Sequence, residues 1–165
     1  TQTLVSTIVS KVPDPIVMAD LDAAAAFAAA DGGDPSKLGI TGFCWGGRIT
    51  WLYAAYSPRV DAGVAWYGRL TGENKPPITT SQPIEVAARL KAPVLGLYGG
   101  KDKGIPVADV EAMQAALGKA DSPSKIILYP EADHGFLADY RPSYDEAAAK
   151  AAWDEALGWF KANLK

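Results

Sequence analysis

Residues 39–49, "GITGFCWGGRI", combine a short apolar run with glycines on both sides of the only cysteine in the chain. Gly42 and Gly46 stand two residues before and two residues after Cys44, and glycine permits backbone bends that a side chain would block. The pattern predicts a strand, a sharp turn at Cys44 and a helix that begins at Trp45. Such a turn presents its apical side chain at the start of a helix. The G-x-S-x-G pattern places a catalytic nucleophile there, and cysteine stands here in the position of serine.

The size and composition of the chain favour a single domain over residues 1–165. Its 165 residues, 48% of them hydrophobic, are sufficient for a core. The net charge of −3 argues against binding to nucleic acid, which needs clustered Lys and Arg. No apolar run approaches the roughly 20 residues that span a bilayer, so no membrane partner is expected either. A single cysteine cannot form an internal disulfide, and one cysteine with one histidine argues against a structural zinc site, which takes four ligands mostly of these two types. No signal-peptide pattern is visible, so the cytoplasm is the default location that we expect.

Strand-like and helix-like segments alternate along the rest of the chain, which predicts an α/β domain with a mostly parallel sheet and flanking helices. Residues 68–92 lack periodicity and predict an irregular excursion. The last helix carries its large apolar residues on one stripe, formed by Trp153, Leu157 and Phe160. The predicted strands are residues 38–43, 60–67, 94–98 and 125–129, and the predicted helices begin near Asp14, Trp45, Pro106 and Ser143 or Asp145.

Three reactive side chains follow predicted strands: Cys44, Asp102 and His134. Catalytic groups in parallel α/β sheets gather at the carboxyl ends of the strands. The order nucleophile, acid, histidine is that of the α/β-hydrolase fold and differs from the chymotrypsin-like and subtilisin-like orders. The sequence therefore predicts an α/β-hydrolase fold with a Cys–His–Asp triad.

The residue types assign a role to each member of this site. His134 would take the thiol proton and later activate water, while Asp102 would orient the imidazole and stabilise its protonated form. The backbone N–H of Trp45 would supply one oxyanion donor. Two alternatives stay open: Asp102 could simply cap its turn, and Asp133 is a rival acid beside the histidine.

Two further residues are candidates for substrate binding, and one is assigned to the fold. Tyr67, at the carboxyl end of a predicted strand, could line a pocket or the core. Arg141 could bind an anionic substrate or be an ordinary solvated arginine. Arg48, which follows the glycines of the turn, is expected to brace the fold.

Six segments carry a family resemblance: "DLDAAAAFAAA", "LGITGFCWGGRI", "AWYG", "APVLGLYGGKDKGIP", "YPEADHGF" and "RPSYDEAAAKAAW". In this order, from about Asp20 to the C-terminus, they resemble the dienelactone hydrolase (carboxymethylenebutenolidase) family. The resemblance implies a hydrolase of small esters or lactones that needs no metal or organic cofactor and works through an acyl-thioester. It maps the nucleophile, acid and base onto Cys44, Asp102 and His134. The type activity of the family is the ring opening of dienelactone to maleylacetate.

Two departures from the family pattern qualify this expectation. Where well-studied members hold the substrate carboxylate with an arginine four residues after the histidine, this chain has Ala138, and Arg141 belongs to the "RPxY" pattern of other relatives. Family members also have an N-terminal half that supplies further strands and a second oxyanion donor. We therefore expect an incomplete domain with weak esterase activity, whose exposed edge at residues 38–43 is covered by an N-terminal segment or by a second copy of the chain.

Two competing functions remain at this stage. The first is a catalytically incomplete fragment or pseudo-enzyme, and the second is a redox-sensing thiol protein, because an accessible thiolate is readily oxidised. The absence of a second cysteine to resolve an oxidised Cys44 weakens the redox reading. The hydrolase remains the leading hypothesis, and its expected binding partner is a small ester or lactone substrate.

Overall fold

A computed structural model describes residues 2–164 of the chain. Two short 3₁₀ turns, Val9–Lys11 and Ala87–Arg89, accompany the regular elements. The strands are β1 (Gly39–Phe43), β2 (Ala62–Trp66), β3 (Val94–Gly99) and β4 (Lys125–Tyr129). The helices are α1 (Gln2–Thr7), α2 (Asp14–Ala30), α3 (Trp45–Tyr56), α4 (Pro83–Val86), α5 (Val107–Lys119) and α6 (Glu146–Asn163).

The four strands form one sheet in the order β1-β2-β3-β4, and every pair is parallel. Each strand reaches the next through a crossover that contains a helix, as parallel pairing requires. Every residue of β2 and β3 is buried, so the core lies along the centre of the sheet. The α/β fold with a parallel sheet and flanking helices is confirmed.

Helices α3 and α6 pack on opposite faces of the sheet. A Cβ added to Gly63 of β2 would lie 3.1 Å from Cγ2 of Thr50 in α3, so this glycine allows close packing. Trp66, three residues later, points to the other face and stacks on Trp153 of α6 with the ring centroids 6.1 Å apart. The close packing of α3 on β2 therefore holds the first turn of this helix, next to Cys44, against the sheet.

The predicted stripe of α6 is only partly covered. The residues of α6 that are buried are alanines, whereas Trp153 is 49% exposed and Leu157 53% exposed. On the same face, Phe43 at the end of β1 is 45% exposed and stacks on Trp66. An apolar surface therefore remains open beside β1.

Strand β1 is an edge of the sheet, since β2 is its only partner in the described chain. Residues 2–11, which precede it, form α1 and a 3₁₀ turn rather than a neighbouring strand. The predicted exposure of this edge is present in the structure. Among residues 2–164, no helix combines the length and the apolar character needed to cross a membrane.

Candidate active site

Cys44 occupies a strained turn between β1 and α3. Its φ of 53° and ψ of −117° lie in a region that non-glycine residues rarely adopt, at a cost of about 1–3 kcal/mol. The backbone N–H of Cys44 donates to the carbonyl of Trp66 at 3.0 Å, and its carbonyl accepts from the N–H of Gly47 at 3.0 Å. These bonds hold the half-buried thiol at the carboxyl edge of the sheet.

Close backbone packing explains two glycines of the turn, but not the pair that the motif spacing suggests. A Cβ on Gly42 would lie 2.3 Å from the carbonyl oxygen of Gly46, and one on Gly47 would lie 2.5 Å from that of Trp66. A Cβ on Gly46 would meet nothing within 4 Å. The glycine that packing requires after Cys44 is therefore Gly47, one residue later than expected.

His134 lies between Cys44 and Asp102 and is within hydrogen-bond distance of both. Its Nε2 is 3.2 Å from Sγ of Cys44, and its Nδ1 is 2.6 Å from Oδ2 of Asp102. Asp102 follows β3 and is 5% exposed, whereas the side chain of His134, on the loop after β4, is 36% exposed. The three sequence-predicted residues thus meet in a line at one edge of the sheet.

The structure also separates the two acids that the sequence left as rivals. Oδ1 of Asp102 accepts from the backbone N–H groups of Gly104 at 2.8 Å and Ile105 at 3.2 Å, so this carboxylate caps its turn and faces the imidazole at the same time. Oδ1 of Asp133 instead accepts from the backbone N–H of His134 at 2.6 Å. Asp133 therefore stabilises the loop backbone, while Asp102 is the acid that contacts the imidazole ring.

His134 keeps its proton well above neutral pH. The hydrogen bond with Cys44, followed by the hydrogen bond and charge of Asp102, raises the pKa of His134 to about 9 even though burial opposes protonation. Nε2–H then donates to Cys44 and Nδ1–H donates to Asp102. Such an imidazolium is the partner that stabilises a thiolate.

The thiol and imidazole open into a cavity of about 440 Å³, which Trp45 and Tyr67 also line. Tyr67 is 3% exposed, has φ 37°, and presents its ring edge-on to His134 with 5.1 Å between centroids. Burial and then the charge of Cys44 raise the pKa of Tyr67 to about 12, so its hydroxyl stays protonated and can donate a hydrogen bond. The predicted position of Tyr67 at the pocket is therefore present in the structure, where its buried ring forms part of the cavity lining.

Seven residues that line the cavity were not named from the sequence, and five of them lie in the irregular stretch after β2. That stretch begins at the carboxyl end of a strand, and loops in this position commonly carry binding residues; its position was the signal available in the sequence. The five are Arg69, Glu73, Lys75, Thr79 and Gln82, and the other two are Gly104 and Ile105, just after Asp102. Arg48, which the sequence assigned to the fold, also lines the cavity.

Arg141 does not line the cavity. It is exposed, lies over the ring of Tyr140 at 5.8 Å, and its Nη1 is 3.1 Å from the position of a Cβ on Gly135, next to His134. Within residues 2–164, the cavity's cation without an ion-pair partner is Arg69. The described residues hold no cluster of three His, Cys, Asp or Glu side chains suited to a metal ion.

Comparison with known proteins agrees with this architecture. The profile of the dienelactone hydrolase family matches residues 1–164. The chain belongs to the dienelactone hydrolase family. Two curated family relatives carry the provisional name carboxymethylenebutenolidase: one from Methylorubrum extorquens, 57% identical over 97% of this chain, and one from Escherichia coli K12, 55% identical over 96%.

One solved structure supports the same family assignment, and a more distant one shares only the fold. The crystal structure of a provisionally named dienelactone hydrolase from Klebsiella pneumoniae is 55% identical, with a TM-score of 0.93 over 98% of this chain and 67% of that one. An acylaminoacyl peptidase from Pyrococcus horikoshii shares the fold at 19% identity and a TM-score of 0.70. The chain spans 55% and 58% of the two curated relatives' length.

Proposed function

We propose that this member of the dienelactone hydrolase family hydrolyses small esters or lactones through a covalent thioester on Cys44. The observation that carries the proposal is the 3.2 Å contact between Sγ of Cys44 and Nε2 of His134, with Asp102 2.6 Å from the other ring nitrogen. Nucleophile, base and orienting acid at these distances form the arrangement that activates a nucleophile in acyl transfer.

Acylation begins with a thiolate–imidazolium pair. The Cys44 thiolate adds to the carbonyl carbon, and the carbonyl oxygen becomes an oxyanion. The N–H of Trp45, at the start of α3, has no acceptor within the helix and can donate to that oxyanion. When the intermediate collapses, the C–O bond breaks and the leaving alkoxide takes the proton from Nε2 of His134.

Deacylation reverses the roles. His134, now neutral, accepts a proton from water as the water oxygen adds to the thioester carbon. The second intermediate collapses with cleavage of the C–S bond, which releases the acid product and restores the thiolate beside a protonated imidazole. Asp102 is acceptor for Nδ1–H throughout and stabilises each protonated state.

The charge at the cavity mouth supports a substrate that carries an anionic group. Arg69 lies on the wall without an ion-pair partner within residues 2–164, whereas Lys75 lies 3.4 Å from Glu73. An unpaired guanidinium binds carboxylate in a fork geometry. Arg141, near His134 on the outside of the cavity, adds positive potential there.

A burst experiment tests the mechanism. Mixing the chain with p-nitrophenyl acetate should release a rapid stoichiometric burst of p-nitrophenol, and mass spectrometry of the quenched protein should find one acetyl group on Cys44. Cys44→Ala and His134→Ala should each abolish the burst, and the double variant should be no worse, because the pair acts as a unit. Additive, mild losses would contradict the thioester mechanism. A thiol that oxidises without any burst would favour the redox function instead.

The proposal extends to the edge of the sheet. The exposed edge of β1 and the adjoining apolar side chains Phe43, Trp153 and Leu157 form a surface that would suit a further parallel strand with its own covering helix. The relatives' greater length supports a segment of the same polypeptide as the occupant. A second oxyanion donor would come from the same segment.

A further inference from the structure

A buried ion pair joins α3, which carries the nucleophile at its start, to the first residue of α2. Nη1 and Nη2 of Arg48 donate to Oδ1 and Oδ2 of Asp14, both at 2.8 Å. The side chains are only 7% and 6% exposed. This two-pronged geometry is the strong form of a charge-assisted hydrogen bond, and it orients both groups.

Asp14 also holds the chain on the far side of the cavity. Its Oδ2 accepts from the backbone N–H of Thr80 at 2.8 Å and from the Thr80 hydroxyl at 3.3 Å. The backbone N–H of Asp14 donates to the carbonyl of Ile78 at 2.9 Å. One aspartate thus anchors two neighbouring positions of the wall segment, which we define as residues 69–82.

Arg48 completes the attachment from the side of the nucleophile helix. Its Nη2 donates to the carbonyl of Ser81 at 2.6 Å, and its Nε donates to Oε1 of Gln82 at 3.3 Å. Nε2 of Gln82 in turn donates to the carbonyl of Glu73 at 3.2 Å. Asp14 and Arg48 therefore contact the wall segment directly within residues 78–82 and reach Glu73 through Gln82.

The wall segment has little structure of its own to fix its position. Apart from one isolated bridge between Lys75 and Thr79, it contains no helix or strand. It nevertheless contributes five residues to the lining of the cavity. A loop without its own backbone ladder takes its position from such anchoring contacts.

The Asp14 carboxylate stays ionised at neutral pH. Burial alone would raise the pKa of Asp14, but hydrogen bonds from Arg48 and Thr80 outweigh burial and hold that pKa below its ordinary value. A buried ion pair adds little net stability compared with an apolar pair of similar size. Its directional bonds are what an apolar pair could not supply.

We propose that Asp14 is a positioning residue, which through Arg48 and Thr80 holds the wall segment at a fixed place opposite Cys44 and so sets the fit of the substrate. The inference rests on the proposed function for its kinetic consequence, but not for its structural one. Asp14 does not line the catalytic cavity, so its effect on substrate binding passes through the wall.

The test compares Asp14→Asn with Asp22→Asn in the full chain. Asp22 lies on the same helix and is half-buried; its hydrogen-bond partners are Arg59 and the Tyr53 hydroxyl, both at 2.8 Å, and both lie outside the wall segment. With p-nitrophenyl butyrate, Asp14→Asn should raise KM about tenfold, while kcat and the rate of Cys44 alkylation by iodoacetamide stay within about twofold. Asp22→Asn should change none of these values.

Hydrogen–deuterium exchange supplies a readout that does not depend on activity. Amides of residues 78–82 should exchange faster in Asp14→Asn and not in Asp22→Asn. If the wild-type chain hydrolyses no ester, the proposed function fails while the exchange data still decide the positioning role. Unchanged exchange, unchanged KM in an active protein, or equal losses in kcat and alkylation would overturn the inference.

A second variant covers the case in which Asp14→Asn does not fold. Asp14→Leu/Arg48→Met replaces the ion pair by an apolar pair, which commonly preserves stability. This variant should keep a cooperative thermal transition yet show the faster exchange at residues 78–82. A folded double variant with the wild-type exchange pattern would show that the pair has no positioning role.

Discussion

The protonation of His134 governs both the stability and the proposed chemistry of the site. Its folded-state pKa of about 9 lies above the ordinary value near 6.5, because Cys44 and Asp102 both favour the imidazolium. The resulting stabilisation is complete below about pH 6.5 and is lost as the pH rises through about 9. In the proposed mechanism the imidazolium is also the acid that protonates the leaving alkoxide.

The first prediction follows from that acid role. kcat/KM for an ester with a poor leaving group should fall as the pH rises through about 9, because deprotonated His134 has no proton to give. Alkylation of Cys44 by iodoacetamide needs only the thiolate, so its rate should not fall over the same range. The two profiles, measured on one preparation, check the expectation. Ester turnover that keeps rising beyond about pH 9 would mean that neutral His134 acts as a base in the first step.

Arg69 carries the second prediction at this scale. Arg69→Gln should raise KM for the anionic ester mono-4-nitrophenyl succinate about tenfold, since it removes a charge-assisted hydrogen bond, and should leave the neutral p-nitrophenyl acetate unchanged. Arg141→Gln is the matched control, because Arg141 is also exposed but does not line the cavity. A stronger effect of Arg141→Gln than of Arg69→Gln would move the anion site to the outer rim.

At the scale of elements, the turn between β1 and α3 is limited by contact between its own backbone groups. The strand end and the helix start cross so closely that a methyl group on Gly42 would press on the carbonyl of Gly46 at 2.3 Å. Neither group can move freely, since Cys44 between them is fixed by hydrogen bonds to β2 and to α3. The same close contacts therefore fix both the backbone of Cys44 and the packing of α3 on β1.

The third prediction separates this constraint from the motif. Gly42→Ala should lower the free energy of unfolding by about 1–3 kcal/mol, as overpacking does. Gly46→Ala should be neutral or slightly stabilising, because its Cβ meets nothing within 4 Å and alanine favours a helix. Urea unfolding followed by circular dichroism measures both. Equal destabilisation by the two substitutions would refute the packing explanation.

At the scale of the whole molecule, the sequence predicted what depends on local pattern. The strand before Cys44, helix α3 and the order of the triad follow from glycine spacing and apolar periodicity, which are visible in a single chain. Asp14, by contrast, marks only the start of a predicted helix in the sequence, yet in the structure it pairs with Arg48, 34 residues away. Such a pairing depends on how α2 packs on α3, and the sequence near either residue does not indicate it. The sequence places the wall segment after a strand, but it could not show which of its side chains line the cavity, because the segment has no periodic pattern.

Helices cover the two faces of the sheet unevenly. Helices α3 and α5 lie on one face with α2 packed against α3, whereas α6 packs on the other face, chiefly at β2 and β3. On the α6 side of β1, Phe160 and Leu164 lie close to Gly39 at the start of the strand. The end of β1 at Phe43 is left open, with Phe43, Trp153 and Leu157 each about half exposed. Parallel strands are normally buried on both faces.

The fourth prediction is that this surface drives association when the chain is studied alone. Light scattering after size exclusion should give a mass that rises with protein concentration, because an edge strand beside exposed apolar side chains can pair with another copy. Leu157→Lys should shift the chain toward monomer by placing a charge in the contact. Ile16→Lys is the matched control, since Ile16 is 52% exposed, like Leu157, but lies on α2, which packs against α3 on the covered face. A chain that stays monomeric at every concentration, or that responds equally to both substitutions, would show that the β1 edge does not recruit a partner.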